Sequence, residues 1–132
     1  MRILFIGDVV GKPGREMVAS AVPLLVEREQ LDLVLANAEN AAGGSGLTPS
    51  IYRELVKAGV DGITLGDHVY RRREIYSVLE NETNIVRPAN LSPESIGRDW
   101  AVVEAKSCVL VAFVCLRGQL FMKSADHPWR TA

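Results

Sequence analysis

Three places in this chain hold residues able to bind a metal or move a proton, and each follows an apolar run that reads as a strand. Asp8 ends the run at residues 2–7, Glu39-Asn40 follows residues 31–36, and Asp67-His68 follows residues 62–65. Helical patterns lie between these runs, so the order is β-α-β-α-β. Right-handed crossovers place such strands in one parallel sheet with their carboxyl ends on one edge, where α/β proteins gather ligands. Three carboxylates sharing a cleft repel one another when empty, which raises their pKa values or recruits cations. Oxygen-rich ligation suits hard or borderline divalent ions. Two such ions about 3.5–4 Å apart clamp a phosphoryl group and activate water. Glu39 could bridge them, Asp8 could hold one, Asn40 and Asp67 the other, and His68 could give a proton to a departing oxygen. The same residues could simply cap the helices that follow; three strand ends rather than one favour the metal site.

The elements that must position these groups are legible in order. The near-continuous apolar run Ile3-Leu4-Phe5-Ile6 fits a parallel strand covered on both faces. Pro13 stands in the first turn of a helix reaching about Glu29, with Pro23 a possible disturbance. Residues 37–46 form a loop with three glycines, which permit left-handed backbone. A helix over residues 49–58 turns Ile51, Leu55 and Val56 to one face and stops at Gly59. A third helix spans about residues 69–79, its Arg71-Arg72-Arg73 reading as a solvated face. Residues 84–86 make a short strand, and Arg87-Pro88-Ala89-Asn90 leaves it extended. Residues 100–106 and 108–116 are two longer strands, expected to be antiparallel. The stretch after Arg117 has no clear periodicity, and His127 within it reads as a surface residue.

Bulk properties exclude several classes. A chain of 132 residues suits one domain, 1–132, and a net charge of −1 gives no basic field for nucleic acid. The apolar runs are too short for a signal peptide or a membrane span, so a cytoplasmic protein is expected. Cys108 and Cys115 lie an odd number of residues apart in one expected strand, point to opposite faces and read as buried thiols, not a disulfide. Residues 7–13 only superficially suggest a phosphate-binding loop: the spacing is one residue short, and Pro13 stands where a magnesium-ligating hydroxyl belongs.

Met1 to Arg15, with its Gly7-Asp8-Val9-Val10-Gly11-Lys12-Pro13-Gly14, resembles the start of the YmdB-like metallophosphoesterases. So do Asn37-Ala38-Glu39-Asn40-Ala41-Ala42-Gly43-Gly44 and Gly66-Asp67-His68. Arg87-Pro88-Ala89-Asn90 and Gly118-Gln119-Leu120-Phe121-Met122 are similar to further family stretches. The resemblance covers essentially the whole chain. It implies the α/β/β/α sandwich of the calcineurin-like phosphoesterases, here only its amino-terminal half, with parallel βαβαβ units followed by antiparallel strands. It implies 2′,3′-cyclic-nucleotide 2′-phosphodiesterase activity at a dinuclear centre of iron, manganese or magnesium. Asp8, Glu39, Asn40 and Asp67 then match metal ligands, Glu39 the bridging one, and His68 the proton donor.

Two departures accompany the resemblance. The family usually has Asn before its catalytic His, whereas Asp67 adds a negative charge that should hold cations more tightly and attract phosphate less. The family also continues beyond the position matching Ala132 into a half that supplies three His ligands, while this chain has only His68 and His127. Two readings follow: an active phosphodiesterase of small nucleotide esters, or a catalytically impaired homologue that binds metal or self-associates. Half a sandwich leaves strand surface such as Val109-Leu110-Val111-Ala112-Phe113 short of partners, so a homo-oligomer is expected.

Overall fold

The computed structural model describes residues 1–122 and 125–132. Four strands, β1 (Ile3–Ile6), β2 (Leu33–Asn37), β3 (Gly62–Thr64) and β4 (Ile85–Val86), form a parallel sheet in chain order. Between them run α1 (Gly11–Glu29), α2 (Pro49–Lys57), and a 3₁₀ turn at Arg73–Ile75 that continues into α3 (Tyr76–Asn81). Two further strands, β5 (Trp100–Glu104) and β6 (Leu110–Val114), form a separate antiparallel ribbon, and α4 (Pro128–Thr131) closes the chain. This is the α/β architecture expected from the sequence.

Side chains alternate across a strand, and β2 shows what that does here. Val34 and Ala36 join a core with Val18 and Val22 of α1, Tyr52 and Leu55 of α2, and Ile63 and Ile85 of the neighbouring strands. Leu33 and Leu35 face the other way and pack with Val86 of β4 and with Ala101 and Phe113 of the ribbon. The central strand is thus buried on both faces, which is why its sequence is continuously apolar. Gly62 belongs to this second contact: a Cβ there would come within 2.7 Å of Leu35 and 2.8 Å of the Phe113 ring.

Thr48 caps α2 by accepting from the Ile51 N–H at 3.4 Å, with Pro49 in the first turn and Gly59 in a left-handed conformation (φ +99°) just past the end. After β4 the extended residues 87–89 bridge the layers: the Arg87 N–H donates to the Arg98 carbonyl, and the Ala89 N–H to that of Cys115.

Several expectations are corrected. β1 is an edge strand covered on one side only, with Ile3 43% and Phe5 55% exposed. Their register opposite Leu33 and Leu35 puts them on the ribbon side of the sheet, but the ribbon packs on β2 and β4 and stops short of them. Val56 is exposed, and Tyr52 takes the buried place on α2 beside Leu55. α1 runs unbroken through Pro23, which lies on its exposed side, where water can satisfy the carbonyl that the ring leaves without a donor. The third helix is shorter than expected because residues 67–72 form turns. Cys108 is an exposed turn residue at φ +59° between β5 and β6, not a buried strand thiol. Phe113 is buried, while Trp100, Val102, Leu110 and Val114 form the ribbon's exposed apolar face. No helix among the described residues is long and apolar enough to cross a membrane.

Candidate metal centre

The carboxyl ends of β1, β2 and β3 are tied together by backbone before any side chain is considered. The Val9 N–H donates to the Asn37 carbonyl at 2.9 Å, the Gly11 N–H to that of Asn40 at 2.9 Å, and the Ala38 N–H to that of Thr64 at 3.1 Å. Asp8 occupies left-handed backbone, φ +46°, a conformation Asp tolerates better than most residues. The glycine loop after β2 folds back on itself: the Gly46 N–H donates to the Glu39 carbonyl at 2.6 Å, and the Ala42 N–H to that of Gly46 at 2.9 Å. Gly43, Gly44 and Gly46 all have positive φ, which is the conformational freedom the loop requires.

A chain of hydrogen bonds links the expected site residues. Asn40 Nδ2 donates to Asp8 Oδ1 at 2.7 Å. That fixes the amide so that Asn40 Oδ1 accepts, and His68 Nδ1 lies 2.6 Å from it. Nδ1 therefore carries a proton, and Nε2 faces Asp67 Oδ2 at 3.5 Å. The His68 backbone N–H donates to Glu39 Oε2 at 3.2 Å. Glu39, Asp67 and His68 each offer a ligand atom within 4.8 Å of the others. Asp8 and Asn40 reach this cluster through His68, and the Asn40 oxygen expected to bind metal is engaged by the imidazole.

The oxygen donors fit a divalent ion: the Glu39 and Asp67 carboxylates offer the hard ligation that iron, manganese and magnesium accept, and the His68 imidazole stands beside them as a group able to move a proton. Burial, aided by the charge of Asp67, pushes the Glu39 carboxyl above its ordinary range, although the His68 N–H acts the other way. Such a destabilised carboxylate gains from a cation. Gly66 supplies a cradle, since a Cβ there would run into the Glu39 carboxylate. The glycine before Asp67-His68 is what lets Glu39 lie across the end of β3.

Sequence reasoning missed the groups that support this cluster. Arg72 donates to the Ser45 and Ala42 carbonyls, and Arg15 to that of Ala41, so two cations brace the glycine loop. Arg72 lay inside a triple arginine that reads as a solvated face; its role depends on a loop 27–30 residues away in sequence. The Cys115 thiol donates to the Leu65 carbonyl at 2.9 Å. Burial, with the charge of Glu39 adding to it, pushes that thiol up to about 11, so it is a neutral group beneath the cluster. His127 is exposed and precedes α4, remote in role from the cluster, as expected.

Comparison with known proteins agrees with the motifs. The chain is 42% identical over 132 residues to the 2′,3′-cyclic-nucleotide 2′-phosphodiesterase of Bacillus subtilis, covering all of this chain and 50% of that protein. Its structure is similar to the crystal structure of a hypothetical protein from Thermus thermophilus. The TM-score is 0.91 at 42% identity, over 99% of this chain and 50% of that one. A phosphatase structure from Mycoplasma pneumoniae gives a TM-score of 0.72 at 37% identity, over 77% of this chain and 38% of that one. The chain thus spans at most half the length of these relatives. The family model described as YmdB-like protein matches residues 4–132. Because that match takes in all three strand ends, the glycine loop and the ribbon alike, the chain belongs to the YmdB-like protein family.

Proposed function

We propose that this chain carries a metal-dependent phosphodiesterase site, with 2′,3′-cyclic nucleotides as the substrate class and a cytoplasmic setting. The observation that carries the reading is the convergence of Glu39, Asp67 and His68 on one sheet edge, with Asp8 and Asn40 joined to them. The family membership and the Bacillus relative's activity supply the substrate class. Glu39, Asp67, Asp8 and Asn40 would hold two divalent ions, of iron, manganese or magnesium, with Glu39 between them. When bound, such ions neutralise phosphoryl oxygens and make water acidic enough to attack near neutral pH.

The chain's own residues then orient the reaction. Water forms a bond to phosphorus as the bond from phosphorus to the ribose 2′-oxygen breaks, leaving a 3′-phosphate. His68, whose ring lies between Asn40 and Asp67, delivers a proton to the departing 2′-oxygen. The attacking water loses a proton to solvent, and His68 regains one there, which balances the cycle.

The test is metal content and hydrolysis of bis-p-nitrophenyl phosphate in added manganese or iron. About two ions per chain and turnover abolished by Glu39→Gln and His68→Ala are expected. Metal-free protein without turnover overturns the reading.

A second reading, favoured by one observation, is a catalytically impaired homologue that self-associates. Ile3 and Phe5 on β1, and, on a separate face, Trp100, Leu110 and Val114 of the ribbon, are all more than two-fifths exposed, and exposed apolar strand surface tends to be buried against a partner. A second copy is the proposed partner. A dimer by sedimentation at micromolar concentration supports it, and a well-folded monomer sinks it.

A further inference from the structure

A cleft of about 560 Å³ opens beside Asp67. Its size lies within the range of about 300–1,000 Å³ typical of small-molecule sites. The turn after β3 supplies one wall through Asp67, Tyr70 and Arg71, residues 91–95 supply a second, and Arg117 and Phe121 supply the third. It begins where the candidate metal cluster ends, because Asp67 belongs to both.

Three features give this cleft a chemical preference. Arg71 is exposed, and no carboxylate among the described residues is paired with it. A planar guanidinium next to a phosphoryl-binding centre suits a phosphate oxygen pair. Tyr70 is a fixed wall: its hydroxyl donates to the Ile96 carbonyl at 2.6 Å, and its ring meets Tyr76 edge-on at 5.6 Å. Phe121 is 98% exposed and sits at φ +59° in a turn. An aromatic ring held out on left-handed backbone at the lip of a cleft gains nothing from the fold. Its exposed face is a stacking platform of the kind that binds nucleic-acid bases.

We propose that this cleft is the nucleoside pocket of the site, Arg71 meeting the phosphate beside Asp67 and Phe121 stacking on the base. The inference rests on the phosphodiesterase reading for the placement of the phosphate, but base recognition is a property of the cleft. Arg71 and Phe121 are then specificity-determining residues. The lining combines the charged Asp67, Arg71 and Arg117 with aromatic and aliphatic surface from Tyr70, Phe121, Leu91 and Met122.

The experiment is calorimetric titration of the manganese-loaded chain with adenosine 3′-monophosphate and, separately, inorganic phosphate. The nucleotide should bind about tenfold or more tighter than phosphate, the range a single base stack provides. Phe121→Ala should erase that preference and leave phosphate affinity unchanged; so exposed a ring can be removed without unfolding the chain. Arg71→Gln should weaken both ligands about tenfold, in line with loss of a charged hydrogen bond. Equal affinity for the two ligands in the unmodified chain overturns the proposal, as does a preference that survives Phe121→Ala. Failure of the phosphodiesterase reading looks different: bis-p-nitrophenyl phosphate is not hydrolysed, while the nucleotide preference and its loss in Phe121→Ala persist.

Discussion

Gly66→Ala isolates the metal cluster from the rest of the fold. Gly66 does not have positive φ, so alanine suits its backbone. The three atoms nearest to a new Cβ all belong to the Glu39 side chain: both carboxylate oxygens and Cδ. To restore ordinary van der Waals separation the carboxylate must withdraw by roughly 1 Å. Its hydrogen bond from the His68 N–H, now 3.2 Å, would then stretch to roughly 4 Å, beyond bonding range. A hydrogen bond to a charged group is worth about 1.5–3 kcal/mol. Glu39 is only part-buried, and moving outward returns its carboxylate to water, so the net change in stability should stay within about 1 kcal/mol. Metal affinity has no such offset. Disturbing the groups that orient a ligand costs about 10–100-fold, and displacing the ligand itself should cost at least that. Urea denaturation and manganese titration of the same preparation read the two effects separately. Manganese affinity equal to that of the unmodified chain would refute the reasoning, because Glu39 would then not be a ligand in the position observed.

Two further substitutions have effects elsewhere. Gly62→Ala places its Cβ against Leu35 and the Phe113 ring, between sheet and ribbon, where overpacking costs about 1–3 kcal/mol; urea denaturation should show that loss while manganese affinity is unchanged. Tyr52 governs alkaline stability. Burial, then the charge of Glu82, raises its phenol from 10.0 to about 12, although the bond to Asn84 acts in the opposite sense. Between those values the unfolded chain loses the proton first, the folded state binds more protons, and stability falls as pH rises. Below pH 10 both states are neutral and the contribution is constant. Tyr52→Phe should flatten the decline between pH 10 and 12 in a denaturation series, and remove about 1 kcal/mol at neutral pH with the 2.6 Å bond to Asn84.

The sequence by itself determined the strand ends and their order. The run Leu33-Val34-Leu35-Ala36 announces a strand buried on both faces, and the structure buries all four residues. Asp8, Glu39-Asn40 and Asp67-His68 could be read as one site because parallel strands with helical crossovers bring successive carboxyl ends to a common edge. The pairing of β5 with β6 was equally legible from two apolar runs joined by a short turn.

Tertiary structure alone decided what those strands face. Ile3 and Phe5 carry the same apolar signal as Leu33 and Leu35, yet lie exposed, because coverage depends on how far the ribbon reaches across the sheet and not on the strand's own residues. It also decided the division of labour at the centre. Spacing cannot show that Asp8 orients Asn40, that Asn40 orients His68, or that Gly66 makes room for Glu39; those are contacts among residues 27–32 apart in sequence. Arg72 is the plainest case. In the chain it is the middle of a charged run, and in the fold it braces the glycine loop, because a guanidinium's partners are set by which carbonyls the folded backbone brings within its reach.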